Sequence, residues 1–115
     1  MILKLLKNIG AITMPKRSVS HKEGLFEDLQ DPVFAANYFS AALEDDDYRV
    51  ALVALRNIAD ARGGIAKIAE ETGLNRESLY KTLREDGNPK IDTFYKVLHA
   101  VGIKLFAVPD NNQAA

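Results

Sequence analysis

Apolar side chains recur at helical spacing along most of the chain, and residues 63–85 show the pattern most clearly. Ile65, Ile68 and Ala69 occupy positions i, i+3 and i+4, which is the arrangement that one buried face of a helix requires. Gly73 then interrupts the pattern, and glycine tolerates the left-handed backbone of a tight turn between helices. The pattern therefore predicts a short helix that ends in a tight turn.

A second short helix is predicted directly after this turn. Asn75 is a favourable N-cap residue, because its side-chain oxygen can accept a hydrogen bond from a free N–H group of the first turn. Leu79 and Leu83 lie at i and i+4 and form a narrow apolar stripe, while the other faces are polar. Two short helices with this spacing have the layout of a helix-turn-helix over about residues 64–85, which suits the major groove of DNA.

Helical spacing also predicts three further helices around this unit. Asp31 followed by Pro32 is a helix-start signal, and apolar residues repeat at helical spacing over residues 33–44. The helix over residues 48–62 is apolar around much of its circumference, so it is predicted to be central to the core. The last helix is predicted over residues 91–101. Its inward-facing residues are predicted to be Ile91, Phe94, Val97, Leu98 and Val101.

The segments that connect or follow these helices carry weaker signals. Residues 45–47 are three aspartates that either end one helix or cap the next. Residues 103–108 alternate weakly between apolar and polar side chains, which predicts one β-strand that ends at Pro109. Residues 110–115 are predicted to be a disordered tail.

Residues 1–24 are predicted to be a basic N-terminal extension that ends in a polar linker at residues 18–24. Residues 1–12 place apolar side chains at near-helical spacing around two lysines, which predicts an amphipathic helix. The lysines interrupt the apolar run and no small-residue cleavage site follows, so the segment is a poor signal peptide. Met14 is a plausible natural start, and the choice between Met1 and Met14 stays open.

Composition excludes several kinds of protein. With 115 residues and 47% apolar side chains, the chain has the length of one ordinary domain and enough apolar residues for one core. It has no cysteine, which excludes disulfide scaffolds, zinc fingers and thiol chemistry. No uninterrupted apolar run reaches membrane-spanning length, so we expect a cytoplasmic protein that does not use a membrane as partner.

The distribution of charge is more informative than the formal net charge of −1. Residues 1–22 carry five Lys or Arg and no acid, whereas residues 23–47 carry eight Asp or Glu and no Lys or Arg. Such segregation fits a protein that binds DNA with one face and a basic partner with another. Ordinary solvated helix ends would produce the same acidic segment, and both interpretations stay open.

The sequence offers no recognisable site for catalysis. Asp45, Asp46 and Asp47 are adjacent, so they cannot all converge on one metal ion, and no loop of oxygen ligands surrounds them. No nucleophile motif, phosphate-binding loop or metal-binding pair of histidines is present. We therefore expect no enzyme activity, no metal and no cofactor.

Four segments together resemble a known family: DPVFAANYFSAALED, ALVALRNIADARGGIAKIAEETGLNRESLYKTL, GNPKIDTFYKVLHAVGIKL and FAVP. The combination is similar to the addiction-module antidote proteins, antitoxins with a lambda-repressor-like (Xre-type) DNA-binding domain. The resemblance implies an all-α fold of about five helices in one domain over residues 25–109. From the resemblance together with the residue patterns described above, we expect this domain to have an N-terminal helical extension and one short C-terminal β-strand.

The resemblance implies a function as well. Such proteins are the antitoxins of type II toxin–antitoxin modules, which bind and neutralise a RelE/ParE-type toxin and repress their own operon by binding operator DNA. A homodimer is expected, because related repressors read paired half-sites. Two alternatives stay open: a stand-alone, prophage-type repressor without a toxin partner, and a protein-interaction module that has lost DNA binding.

Candidate DNA contacts lie on and around the second helix of the helix-turn-helix. Arg76 is the strongest candidate for base readout, because its guanidinium can bind guanine O6 and N7 together. Glu77 either accepts a hydrogen bond from a cytosine amino group or only complements the helix dipole. The other candidates, chiefly for contacts with phosphates, are Asn75, Tyr80, Lys81, Arg84, Lys90 and Lys67.

Candidate toxin contacts lie in the acidic segment. Phe34 and Tyr38 share one helix face at i and i+4, where aromatic rings either anchor a partner or pack in the core. Acidic side chains nearby would steer association with a basic toxin surface. The acidic candidates are Glu44, Asp45, Asp46 and Asp47.

Overall fold

Six α-helices make up the part of the chain that the computed structural model describes, residues 21–84 and 86–110. The helices are α1 His21–Asp28, α2 Pro32–Leu43, α3 Tyr48–Ala61, α4 Ile65–Thr72, α5 Arg76–Thr82 and α6 Ile91–Ala100. Over these residues the predicted all-α class is confirmed. The helix predicted for residues 1–12, the choice of start residue and most of the predicted tail lie outside the described residues.

Side-chain caps begin α2 and α3 where the sequence predicts helix starts. Asp31 accepts a hydrogen bond of 2.9 Å from the Val33 N–H, and Pro32 occupies the first turn of α2. Asp47 accepts a bond of 3.0 Å from the Arg49 N–H and is the N-cap of α3. The sequence left open whether residues 45–47 end one helix or cap the next. Asp47, the last of the three, caps the following helix.

Helix α3 lies at the centre of the core. It packs against α1, α2 and α4, and Leu55, Ile58 and Ala59 are completely buried along it. Val50 and Val53 remain partly exposed, so the helix buries most of its circumference but not all of it. The prediction that this helix is central to the core is confirmed.

Helix α1 is the element that the sequence pattern missed. It begins at His21, inside the segment interpreted as a linker, and brings the helix count to six. Leu29, directly after it, is buried in the core. In the turn that follows, the Gln30 Nε2 donates a hydrogen bond of 2.6 Å to the carbonyl oxygen of Ala61, the last residue of α3. This bond attaches the turn between α1 and α2 to the C-terminal end of α3, just before α4.

Helix α6 completes the core against α4. Val97, Leu98 and Val101 are buried as predicted, and the Phe94 ring lies 6.2 Å from the Phe39 ring of α2, measured between centroids. The inward orientation predicted for Ile91 is wrong, because this side chain is 70% exposed. Ile91 is the first residue of α6 and precedes the turn that reaches the core.

The predicted strand at residues 103–108 does not form in the described chain. The Ile103 N–H donates to the Leu98 carbonyl at 2.9 Å and Ile103 packs against the core, but residues 104–110 have no regular secondary structure. A strand needs a neighbouring strand to pair its backbone N–H and C=O groups, and the described chain provides none. Leu105, Phe106 and Val108 are left exposed.

Candidate nucleic-acid interface

The first helix of the candidate site, α4, is held by the apolar stripe that the sequence predicts. Ile65, Ile68 and Ala69 are buried. The helix ends at Gly73, whose φ of 75° lies in the left-handed region and whose N–H donates to the Ala69 carbonyl at 2.9 Å. A side chain at this φ would be strained, so glycine permits the sharp change of direction into α5.

The second helix, α5, has the predicted cap and the predicted buried stripe. Asn75 has an extended backbone, and its Oδ1 accepts a hydrogen bond of 2.9 Å from the Ser78 N–H. Leu79 and Leu83 are 1% and 0% exposed. Tyr80 and Thr82 are partly buried beside them, whereas Arg76, Glu77, Ser78 and Lys81 are exposed and available for contacts.

Three of the candidate contact residues on α5 are exposed. Arg76 and Glu77 lie in the first turn, and Lys81 lies in the last turn on the solvent side. A helix that presents long polar side chains from its first turn can insert them into the major groove, whose width admits one helix. The arrangement of α5 is therefore compatible with base readout.

Tyr80 occupies a different position from its neighbours on α5. The ring is only half-exposed, and the guanidinium carbons of Arg56 and Arg76 lie over it at 5.3 Å and 6.0 Å from its centroid. These are cation–π distances, so Tyr80 contacts the candidate base reader, and its ring also packs against the core. Arg56 belongs to α3 and was missed at the sequence level, because residues 56 and 80 meet only through helix packing.

The other predicted DNA contacts surround α5 at the surface. Lys67 is exposed on α4, and Lys90 is the N-cap residue of α6, without a side-chain capping bond. Arg84 is exposed in the turn after α5, where its Nε lies 3.4 Å from a carboxylate oxygen of Asp86. Asn75 keeps its side chain at the surface while it caps α5, so both roles predicted for it are compatible.

The aromatic residues of the acidic segment are largely occupied by the core. Phe39 is 1% exposed. Phe34 and Tyr38 are half-buried against the core, and the Tyr38 hydroxyl accepts a hydrogen bond of 2.8 Å from Asn57 Nδ2 on α3. Their packing role is therefore established, and a contact with a partner would use only the exposed part of each ring.

The acidic turn between α2 and α3 combines hydrogen-bonded and exposed carboxylates. Asp45 accepts a bond of 2.8 Å from the Asp47 N–H, and Glu44, Asp45 and Asp46 are all exposed. The side chain of Arg49 donates to Asp47 at 2.8–3.0 Å, and this bond, followed by the one from the Arg49 N–H, lowers the Asp47 pKa from its usual 3.8. The stabilisation that Asp47 provides is complete above pH 3.8 and is lost as the pH falls through the lowered pKa.

Two other kinds of site are absent from the described part of the chain. Residues 21–84 and 86–110 contain no group of His, Asp and Glu that could hold a metal ion. In the same ranges, no helix is both long enough and apolar enough to cross a membrane. The arrangement of side chains around α5 therefore remains the principal candidate site in the described chain.

Comparison with known proteins places the chain in a family. The profile of the family described as "Probable addiction module antidote protein" matches residues 21–109. A protein of Haemophilus influenzae (strain ATCC 51907 / DSM 11121 / KW20 / Rd), described as "Uncharacterized protein", is 39% identical over 68 residues, which cover 59% of this chain and 69% of that protein. No solved structure matches the chain. The profile covers all six helices, and the chain therefore belongs to the family of probable addiction module antidote proteins.

Proposed function

We propose that this chain is the antitoxin of a type II toxin–antitoxin module, which neutralises a RelE/ParE-type toxin and represses its own operon by binding operator DNA. Membership of the antidote family supports the antitoxin role. The observation that carries the DNA-binding role is the geometry of α5, in which Leu79 and Leu83 are buried while Arg76, Glu77 and Lys81 are exposed.

In this proposal, α4 and α5 act as an Xre-type helix-turn-helix within a lambda-repressor-like arrangement. Helix α5 enters the major groove, where Arg76 donates two hydrogen bonds to a guanine and Glu77 lies beside it at the base edges. Lys81 and Arg84 contact phosphates, which position the helix without reading sequence. The chain needs no metal or cofactor for these steps, because recognition uses only hydrogen bonds and charge.

Expression of the chain with the neighbouring reading frame tests toxin neutralisation and DNA binding together. The proposal expects the two proteins to co-purify, the chain to restore growth against the neighbouring protein, and the complex to enrich a DNA sequence from a random library. DNA enrichment without co-purification or rescue would favour a stand-alone repressor. Rescue without DNA enrichment would remove operon repression from the proposal.

We further propose that the chain acts as a homodimer. One recognition helix covers only a few base pairs, and related repressors read two half-sites about one helical turn apart. The exposed apolar residues Leu105, Phe106 and Val108 follow one another in a segment without a strand partner in the described chain. Antiparallel pairing of this segment with its copy would satisfy the backbone of both chains.

The dimer proposal predicts a specific effect of proline at position 106. Phe106→Pro removes a backbone N–H and should abolish pairing, whereas Phe106→Ala keeps the backbone and should weaken the dimer less. Sedimentation at micromolar concentration measures both variants. A wild-type chain that remains a monomer with and without DNA would contradict the proposal, and equal effects of the two variants would exclude strand pairing as the interface.

The proposed toxin surface centres on the turn between α2 and α3. Glu44, Asp45 and Asp46 are exposed there, and Asp47 is half-buried at the cap of α3. RelE/ParE-type toxins that act on RNA need basic surfaces to hold phosphates, so an acidic turn would attract them. Phe34 and Tyr38, half-buried on α2, would add apolar contacts through their exposed edges.

Charge reversal of this turn should slow association with the toxin. Glu44→Lys combined with Asp46→Lys leaves the hydrogen bonds of Asp45 and Asp47 in place, so the fold should be retained. The association rate at low salt should fall by about tenfold or more, because electrostatic steering is lost. Glu70→Lys combined with Glu71→Lys changes the net charge equally on α4 and is the control. Association that is equally fast in both double variants would place the toxin interface elsewhere.

A further inference from the structure

Arg56 lies on α3, outside the two helices of the proposed DNA-binding unit, yet its side chain reaches α5. Its guanidinium carbon is 5.3 Å from the centroid of the Tyr80 ring, and that of Arg76 is 6.0 Å from the same centroid. Two positive charges from different helices are therefore gathered around one aromatic ring. One of them belongs to the proposed base reader.

The guanidinium of Arg56 is only partly satisfied by the protein. Its Nε is buried and has no hydrogen-bond partner among the described residues. Asp60 Oδ1 lies 3.7 Å from this nitrogen, which is an ion pair but too long for a hydrogen bond. The Arg56 side chain is 32% exposed and that of Asp60 is 49% exposed, so the pair is screened by solvent.

A shallow pocket brings Arg56 together with a second guanidinium. Arg84, from the turn after α5, lines this pocket with Arg56, and its ion pair with Asp86 is exposed to solvent. Val53, Asn57 and Leu83 form the walls between them, and Asp86, the ion-pair partner of Arg84, also lines the pocket. Guanidinium groups donate two parallel N–H bonds that match the oxygens of a phosphate, and two such groups in one concave surface form a suitable receptor for it.

We propose that Arg56 and Arg84 form a phosphate-binding subsite that receives one phosphodiester of the DNA backbone while Arg76 reads a base. The inference rests on the proposed binding of DNA by α5. Each guanidinium has a solvent-exposed ion pair, Arg56 with Asp60 and Arg84 with Asp86, and a phosphate would replace these carboxylates. Tyr80 contacts both Arg56 and Arg76, so the phosphate held on α3 sets the position of the base reader in the groove.

The test uses the full chain and a duplex that the wild-type chain enriches from a random-sequence library. Arg56→Gln should weaken binding about tenfold, because one charged hydrogen-bonding group is lost. The slope of log K against log salt should become shallower by about 0.9, the value for one phosphate contact. Ethylation of one backbone phosphate should inhibit the wild-type chain and no longer inhibit the variant. Lys96→Gln removes one charge from α6 and should change neither the slope nor the ethylation pattern.

The possible outcomes separate this subsite from the proposed function. Arg56→Gln with an unchanged slope and ethylation pattern overturns the subsite, whereas loss of specificity in Arg76→Ala would still support DNA binding by α5. Weaker binding with an unchanged slope also overturns the subsite, because mere structural support of Tyr80 would have that effect. A wild-type chain that enriches no sequence overturns both proposals. A variant that loses only co-purification with the toxin would assign the pocket to the toxin interface and overturn the phosphate subsite.

A second variant tests the subsite without altering Arg56. Asp60→Asn removes the carboxylate that competes for this guanidinium, at an exposed position where the fold should tolerate the change. Binding of the same duplex should become tighter, with the same ethylated phosphate inhibiting it. If Arg56→Gln does not fold, unchanged affinity in Asp60→Asn overturns the subsite.

Discussion

Leu79→Ala is expected to destabilise the chain by about 2–5 kcal/mol and to abolish specific DNA binding. Leu79 is 1% exposed and is the buried residue within α5, so its removal leaves a cavity beneath the proposed recognition helix. A short helix has little intrinsic stability and depends on packing of its apolar face. Chemical denaturation followed by circular dichroism measures the loss, and binding is measured at a temperature where the variant is folded.

The neighbouring exposed residue provides the control for this prediction. Ser78→Ala alters a side chain that is exposed on the same helix, while the hydrogen bond from its backbone N–H to Asn75 is retained. The free energy of unfolding should change by no more than about 0.5 kcal/mol. Equal stability of Leu79→Ala and Ser78→Ala would mean that α5 is not held by its leucine stripe.

Arg76→Ala is expected to weaken binding to the enriched duplex by roughly 1–3 kcal/mol and to relax specificity at one base position. The exposed guanidinium already lies over the Tyr80 ring, 6.0 Å from its centroid, so it is partly oriented before DNA arrives. Binding to a set of duplexes, each substituted at one position, measures the change in specificity.

Arg76→Lys separates the charge of this residue from its shape. Lysine retains the positive charge but cannot donate the paired N–H bonds of a guanidinium, so it should bind DNA while discriminating less well at the same base. If Arg76→Ala discriminates among the substituted duplexes as the wild-type chain does, Arg76 is not a base reader. The buried leucines would then still define α5, but another side chain would have to read the operator.

Local sequence signals predicted the helix boundaries well because short-range interactions determine them. Asp31 and Asn75 cap helices through bonds to N–H groups two and three residues along the chain. Gly73 ends α4 because its own backbone can take a left-handed conformation. Leu79 and Leu83 are buried as their i, i+4 spacing predicts. Each of these features depends on residues within one helical turn, so the printed sequence contains the necessary information.

Local sequence signals could not predict the features that depend on which helices pack together. The helical period cannot show where the core ends along a helix, so Ile91 was predicted to be inward although it lies beyond the packed part of α6. Helix α1 was missed because its apolar pattern is weak, and its core contact is made by packing against α3.

The sequence by itself therefore determined the all-α class, the caps, the turn at Gly73 and the polar surface of α5. Tertiary packing decided that Tyr38 is hydrogen-bonded to Asn57 across α2 and α3, and that Arg56 lies over Tyr80. Helix periodicity specifies a buried face but not its partner, whereas contacts between residues 19 or 24 positions apart arise only when helices pack. The proposed phosphate subsite depends on such a contact, which is why the sequence indicated the base reader but not the arginine beside it.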